Sequence, residues 1–302
     1  MIKRCCRNAL ILSAFCSSAQ ATLTFQVAFT ANALANYTPA EQQFFQDGLD
    51  FWDAIIDGHQ DGVSRTWTLS VDSFDEGPMN GGITLGSAGP TGLLFSNVVP
   101  GSGLGAPGPD RFILAGGGQA EFNTNAAAGP LDPIVVRHEI GHALGIGTLW
   151  EDNEVYNDGN AGTGNRTLAG GTPGQYTGAN ALAAYQDEFD TGATFIPIEL
   201  DGGGGTAHGH WNMVTDHFNP ALENQAGFDS DPGDGVAAPT DGSGNSLDDE
   251  LMTGVRSGSG FLSETSIQSL IDIGFTLEPT VPEPSSALLA GLGLILLGRR
   301  RR

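Results

Sequence analysis

Residues 22–30, TLTFQVAFT, alternate apolar and polar positions and are rich in β-branched side chains, a pattern that predicts a strand. The period then changes. Phe44, Phe45, Leu49, Phe51, Trp52, Ile55 and Ile56 recur at helical spacing, so 39–57 is expected to form an amphipathic helix with an aromatic stripe against the core. Its start is marked locally by Thr38 as N-cap, Pro39 in the first turn and Glu41 in the capping-box position. His59, in DGHQDG just past the helix, reads as an exposed loop residue. A strand pattern returns at 65–71 (RTWTLSV), whereas 78–110 is rich enough in glycine and proline to read mostly as loop. Short strands are expected at 111–114 and 119–123, and 133–147 is apolar enough to be buried.

That buried stretch carries chemistry. Residues 138–150 read HEIGHALGIGTLW, and the first five have the form H-E-x-x-H. Residues four apart share a helix face, so His138 and His142 can both point imidazole nitrogens at one metal ion. Glu139 lies one position round, where it can hold a water on that ion, take its proton and return it to a leaving amine. Gly145 or Gly147 is the expected site of a tight turn. Five residues match such a pattern by chance, but two buried histidines and a buried, unpaired glutamate are costly without a metal. The position six after His142, where compact sites of this kind carry a third histidine, is Thr148. Three other histidines, His208, His210 and His217, lie downstream in AHGHW and DHF, behind the glycine-rich hinge 201–206 that a returning ligand would need. Met252, in ELMTG, is a candidate for a turn beneath the site.

Taken in order, HEIGHALGIGTLW (138–150), YTGANALAAY (176–185), PIELDGGGGTAHGHW (197–211), DELMTG (249–254) and LSETSIQSLIDIGF (262–275) resemble the bacterial branch of the leishmanolysin-like zinc metallopeptidases. These are metzincins with a long insertion between the second and third zinc histidines. The resemblance spans residues 130–276 and is far more specific than H-E-x-x-H alone. It implies an α+β, metzincin-like fold. An N-terminal part (22–147) of mixed sheet and helices would end in the active-site helix. The insertion and a mainly irregular or helical C-terminal part (148–278) would follow. It implies His210, immediately before Trp211, as the third zinc ligand beside His138 and His142. It also implies Glu139 as general base and Met252 as the residue of the Met-turn. His208 and His217 are left as supporting or surface residues, and Tyr176 and Tyr185 as candidates to approach an oxyanion. The implied activity is a zinc endopeptidase acting on a protein or peptide. Residues 22–130 match the family weakly.

Composition changes this picture in three ways. All three cysteines fall at or before residue 16, within the signal segment 1–21 described below. Unlike the disulfide-rich eukaryotic members, the mature chain would have no disulfide and no cysteine switch to keep a zinc latent. Next, seven of the twelve basic residues lie in the first seven and last four positions. Between residues 22 and 298 five arginines face all 35 acids, a balance of −30. So acidic a body excludes a nucleic-acid partner and an anionic membrane surface. Finally, the acidic loops 151–159 (EDNEVYNDG) and 229–235 (DSDPGDG) offer oxygen donors at short spacing, as structural Ca2+ sites do, although neither has EF-hand spacing.

Both termini read as processing segments. Residues 1–21 combine Lys3, Arg4 and Arg7, a short apolar stretch and the small-x-small end Ala19-Gln20-Ala21, the form of a signal peptide. Phe15 is too bulky to precede a lipid-modified Cys16. At the other end, residues 279–302 place Pro-Glu-Pro before a 12-residue apolar run (287–298) and terminal arginines. As a helix that run is about 18 Å long, against roughly 30 Å of hydrocarbon, which is short for a permanent span. The order resembles the PEP-CTERM sorting tail of Gram-negative bacteria. It implies an exosortase-type processing enzyme as partner, removal of the tail, no permanent membrane span in the mature form and an extracellular or outer-surface location. The plain alternative is a weak C-terminal anchor.

Two other functions compete with the zinc endopeptidase. One is a catalytically inactive metallopeptidase fold that serves as a binding or matrix protein, for which a retained Glu139 has no chemical use. The other is a calcium-stabilised structural exoprotein with an accidental H-E-x-x-H, which leaves the HW and ELMTG segments unexplained.

Overall fold

The computed structural model describes residues 22–78, 83–96, 112–157, 172–200, 206–212, 239–254 and 259–278. The signal and sorting segments, the glycine run 201–205, His217 and the loop 229–235 lie outside them.

The N-terminal alternation becomes strand β1 (Leu23–Phe29). A one-and-a-half-turn helix, α1 (Ala31–Asn36), leads into α2 (Pro39–Asp53). The capping box is formed, with Glu41 N–H donating to Thr38 Oγ1 and Thr38 N–H donating to the Glu41 carboxylate at 2.8 Å. Helix α2 stops short of residue 57 because Ile56 is taken into strand β2 (Ile56–His59). The partner of β2 is a strand at the far end of the described chain, which no local pattern around 56–59 announces.

Strand β3 (Arg65–Phe74) runs three residues past the expected end and buries alternate side chains, Trp67, Leu69, Val71 and Ser73. Strand β4 (Gly86–Phe95) corrects the loop expected there. Its glycines and Pro90 are tolerated because, among the described residues, it is an edge strand with one ladder, antiparallel to β5 (Ile113–Asn123). Strand β5 is continuous where two short strands were expected. Its central glycine is a packing device: a Cβ on Gly118 would meet Trp67 at 2.6 Å and Ala143 at 2.7 Å. The four strands form one mixed sheet in the order β1-β3-β5-β4, parallel except at β4.

Helix α3 (Pro133–Leu144) packs on β4, β5 and α2. Asp132 caps it by accepting from Ile134 N–H at 2.9 Å, and Pro133 occupies its first turn. Gly48 of α2 faces Ile140, where a Cβ would lie 2.7 Å from Cδ1. Trp52 Nε1–H donates to Arg137 O at 3.0 Å, so α2 is tied to the helix backbone one residue before His138.

Beyond α3 the elements are short: β6 (Gln175–Tyr176), α4 (Ala179–Glu188), β7 (Ile196–Pro197), α5 (Glu264–Asp272) and β8 (Phe275–Leu277). Strands β6 and β7 pair with each other, and β8 pairs antiparallel with β2. Helices α4 and α5 cap one another. Glu188 at the end of α4 accepts from Glu264 N–H and Thr265 N–H at the start of α5 (2.7 and 2.8 Å). Asp272 at the end of α5 accepts from Asn180 N–H and Ala181 N–H at the start of α4 (both 3.0 Å), and from buried Tyr176 Oη–H. The whole is a mixed α+β fold with few helices, most of its buried apolar side chains in one core.

His59 is not exposed. It lies 2 % exposed in β2, stacked on Phe275 of β8 at 4.8 Å. Arg65, paired to Asp61 at 2.6 Å, approaches its Nδ1, and Nε2 has no hydrogen-bond partner among the described residues. Burial, then the Arg65 charge, push its pKa down to about 4, against a smaller opposing pull from Asp61.

Two predictions follow from these contacts. Asp272→Ala strands a buried hydroxyl and two helix N–H groups and should cost about 2–4 kcal/mol in denaturant unfolding; a loss under 1 kcal/mol would mean α4 does not need the cap. His59 stays neutral in the fold, whereas the unfolded chain takes up its proton near pH 6.5. It therefore contributes stability in full above pH 6.5 that is lost as the pH falls towards 4, about 3 kcal/mol at most. Unfolding free energies from pH 7 to 4.5 should fall less steeply for His59→Phe than for the natural chain.

Candidate metal centre

Helix α3 ends two residues past His142, at Leu144, and the end itself shapes the site. Gly145, at φ 122°, caps the helix, its N–H shared between Gly141 O and His142 O. The chain then doubles back so that Ile146 O faces His142 Nδ1 at 2.8 Å. The Thr148 hydroxyl donates to His142 O at 2.6 Å and closes the last turn.

Three imidazoles converge. His138, His142 and His210 place their Nε2 atoms 2.9, 3.0 and 3.2 Å apart, and His142 and His210 lie 68 residues apart in sequence. Each ring's other nitrogen faces a backbone carbonyl: His138 Nδ1 to Leu251 O (2.6 Å), His142 Nδ1 to Ile146 O (2.8 Å) and His210 Nδ1 to Thr206 O (2.7 Å). A carbonyl only accepts, so all three protons sit on Nδ1 and three bare Nε2 lone pairs point at one another. They cannot hydrogen-bond among themselves. A cation between them turns this mutual repulsion into ligation. Tetrahedral zinc with Zn–N of about 2.0–2.1 Å has ligand edges of about 3.3–3.4 Å, a few tenths wider than those found. Burial lowers the pKa of all three rings, that of His210 to about 3, and so keeps them neutral. Among the described residues this is the one group of three or more His, Cys, Asp or Glu side chains placed to share an ion. The described part of the acidic loop, 151–157, makes no such group.

Two glycines make the convergence sterically feasible. At Gly147 (φ 78°) a Cβ would lie 2.0 Å from Gly209 O, so the segment carrying His210 crosses directly over the turn that ends α3. At Gly141 a Cβ would lie 2.7 Å from Met252 Sδ, so this fully buried methionine packs against the motif helix. The turn around Met252 serves both sides. Leu251 O orients His138, and Met252 O accepts from Trp211 N–H at 3.1 Å.

Glu250, which the sequence reading passed over, holds that turn. Its buried carboxylate accepts from Met252 N–H, from Ser263 N–H (3.1 Å) and Oγ–H (2.9 Å), and from Ser266 Oγ–H (2.6 Å). Ser266 Oγ in turn accepts from Trp211 Nε1–H at 2.7 Å. Burial raises the Glu250 pKa while these donors pull it back. Trp211 packs against Trp150 and edge-to-face with Tyr176, so the residue after His210 is an anchor in the core.

Glu139 is 6 % exposed, and burial pushes its pKa up to about 8. The start of β4 passes over it: a Cβ on Gly86 would lie 2.9 Å from its Oε1. His208 is not among the converging nitrogens; its Nδ1 lies 2.7 Å from Tyr156 Oη. Tyr176 is fully buried with its hydroxyl on Asp272, and Tyr185 is buried beside Phe189.

Residues 280–302 match the PEP-CTERM protein-sorting motif. Proteins bearing it are exported and anchored at the cell surface of Gram-negative bacteria, and its presence implies handling by an exosortase. A search among curated proteins finds no match to the chain. No helix among the described residues is long and apolar enough to cross a membrane.

Gly147→Ala should push the His210 segment off the helix end. Its metal content after dialysis against a weak chelator should fall at least tenfold below that of the natural chain, with the far-ultraviolet spectrum retained. Equal retention of metal would mean the close crossing at Gly209 does not matter.

Proposed function

We propose that this exported protein is a zinc endopeptidase of the leishmanolysin-like metzincin kind. The observation that carries the reading is the set of three buried imidazoles with every Nδ1–H committed to a carbonyl and every Nε2 turned inward. Such a set of neutral nitrogens suits zinc. Zinc held there would lower the pKa of a bound water towards 7 and polarise a scissile carbonyl.

The chain's own residues supply the rest. Glu139, next to His138 on the helix and buried under Gly86, takes the proton of the attacking water and passes it to the leaving amine. Its raised pKa in this apolar setting belongs to the state before a cation is bound; a neighbouring positive charge favours its carboxylate form. Strand β4, with one ladder partner among the described residues, offers its other side to an extended peptide as an added strand beside the base. A purely structural or ligand-binding metal site would have no chemical need for Glu139, which weighs against a matrix protein without activity.

The test compares the purified natural chain with Glu139→Ala on an unfolded protein substrate, each with and without a zinc chelator. Cleavage should be lost on chelation and fall about 10²–10⁴-fold in the variant, with one zinc per chain in both. Two folded, zinc-loaded proteins that are equally inert would contradict the peptidase reading.

A further inference from the structure

Two residues other than glycine adopt a left-handed backbone among those described: Glu154 at φ 60° and His208 at φ 67°. Such residues are strained and persist only where surrounding contacts over-determine them. His208 makes, and Glu154 lies two residues from, a single hydrogen bond. Tyr156, two residues beyond Glu154 and 3 % exposed, places its Oη 2.7 Å from His208 Nδ1. Gly174 N–H donates to the same Oη at 3.1 Å, which ties the hydroxyl to the backbone ahead of β6 as well as to His208.

The bond joins the turn that follows the metal helix to the segment that delivers the third histidine. That segment, 206–212, is held on one flank by His208 N–H to Glu199 O (2.7 Å) and Asn212 N–H to Pro197 O (3.0 Å). Trp211 N–H to Met252 O (3.1 Å) holds it on the other. Both flanks tie it to the C-terminal part, and at the turn that ends α3 Gly209 crosses close over Gly147. On the tyrosine side, Val155 N–H reaches back to Trp150 O and Thr177 N–H bonds Val155 O, so the arm that presents Tyr156 is braced.

We infer that Tyr156 and His208 form a latch that seats the third metal ligand, which makes both positioning residues of the centre proposed above. The latch fixes the height of residues 208–210 over the helix end, and with it the place of His210 Nε2. The left-handed backbone lies at His208 itself and, on the other side, two residues before Tyr156. The inference rests on the metal-centre reading for its function, but the contact can be tested without metal.

Two variants of the full chain serve. Tyr156→Phe keeps the ring in its packing and deletes the hydroxyl. His208→Gly relieves the left-handed strain and deletes the imidazole. Zinc dissociation constants are read by competition with a chromophoric chelator, and amide hydrogen exchange over 206–212 is read on metal-free protein. The latch predicts zinc binding weakened about 10–100-fold in both variants, as for other groups that orient a metal ligand. It also predicts at least tenfold faster exchange over 206–212 in Tyr156→Phe, with α3 and β5 unchanged, and no lowering of the metal-free unfolding midpoint in His208→Gly. Unchanged exchange in Tyr156→Phe overturns the latch, as does faster exchange confined to His208→Gly, which is glycine's own freedom. Should the natural chain take up no zinc, the peptidase reading falls, and the exchange in Tyr156→Phe still decides whether the latch exists.

Discussion

Everything at the centre depends on where three protons are. An imidazole has two nitrogens and, when neutral, one hydrogen. By presenting a carbonyl oxygen to each Nδ1, the fold spends that hydrogen on the backbone and leaves three Nε2 lone pairs about 3 Å apart. Burial blocks the obvious escape, because protonating any ring would put a charge into an apolar setting. A metal ion placed between them would remove the conflict. The same three carbonyl bonds also fix the planes of the rings, so the site is oriented before anything binds to it.

The carbonyls come from three separate places, and each explains a part of the architecture. Ile146 belongs to the glycine turn that ends α3, Leu251 to the turn held by Glu250, and Thr206 to the segment that crosses at Gly147. Glu250, through Ser263 and Ser266, ties that turn to the start of α5 and to Trp211. Helix α5 is locked to α4 by the exchange of carboxylate caps, and β8 carries the chain back to β2 beside α2. The body has no cysteine after residue 16, so no disulfide joins these distant segments. Buried carboxylates on backbone N–H groups and an aromatic cluster around Trp150 and Trp211 join them instead.

What could be read in the sequence was what is encoded locally. The capping box at Thr38 and Glu41 lies within four residues, and the H-E-x-x-H face within five. The glycine turn at 145 and 147 follows at once, and all three were legible. Long-range partners were not. Helix α4 has Gly178 at its N-cap, which offers no side-chain cap; the helix is capped instead by Asp272, about ninety residues away. His59 looked exposed because the strand that buries it begins at Phe275. Strand β4 was hidden by glycines and Pro90, which an edge strand tolerates. The gathering of His210 with His138 and His142 could be expected only from the resemblance of several segments in order, since no spacing rule ties residues 68 positions apart. Tyr156 carried no signal at all; a strained backbone is visible only in three dimensions.

The most direct measurement of the central claim is the protonation pattern of the imidazoles, read by long-range proton–nitrogen correlation on nitrogen-labelled protein during titration with zinc. Of the chain's six histidines, three should carry their proton on Nδ1 before and after zinc, with Nε2 of those same three shifting together and reaching completion at one equivalent. Protons found on Nε2 of His138, His142 or His210, or no coordinated shift on adding zinc, would contradict the account.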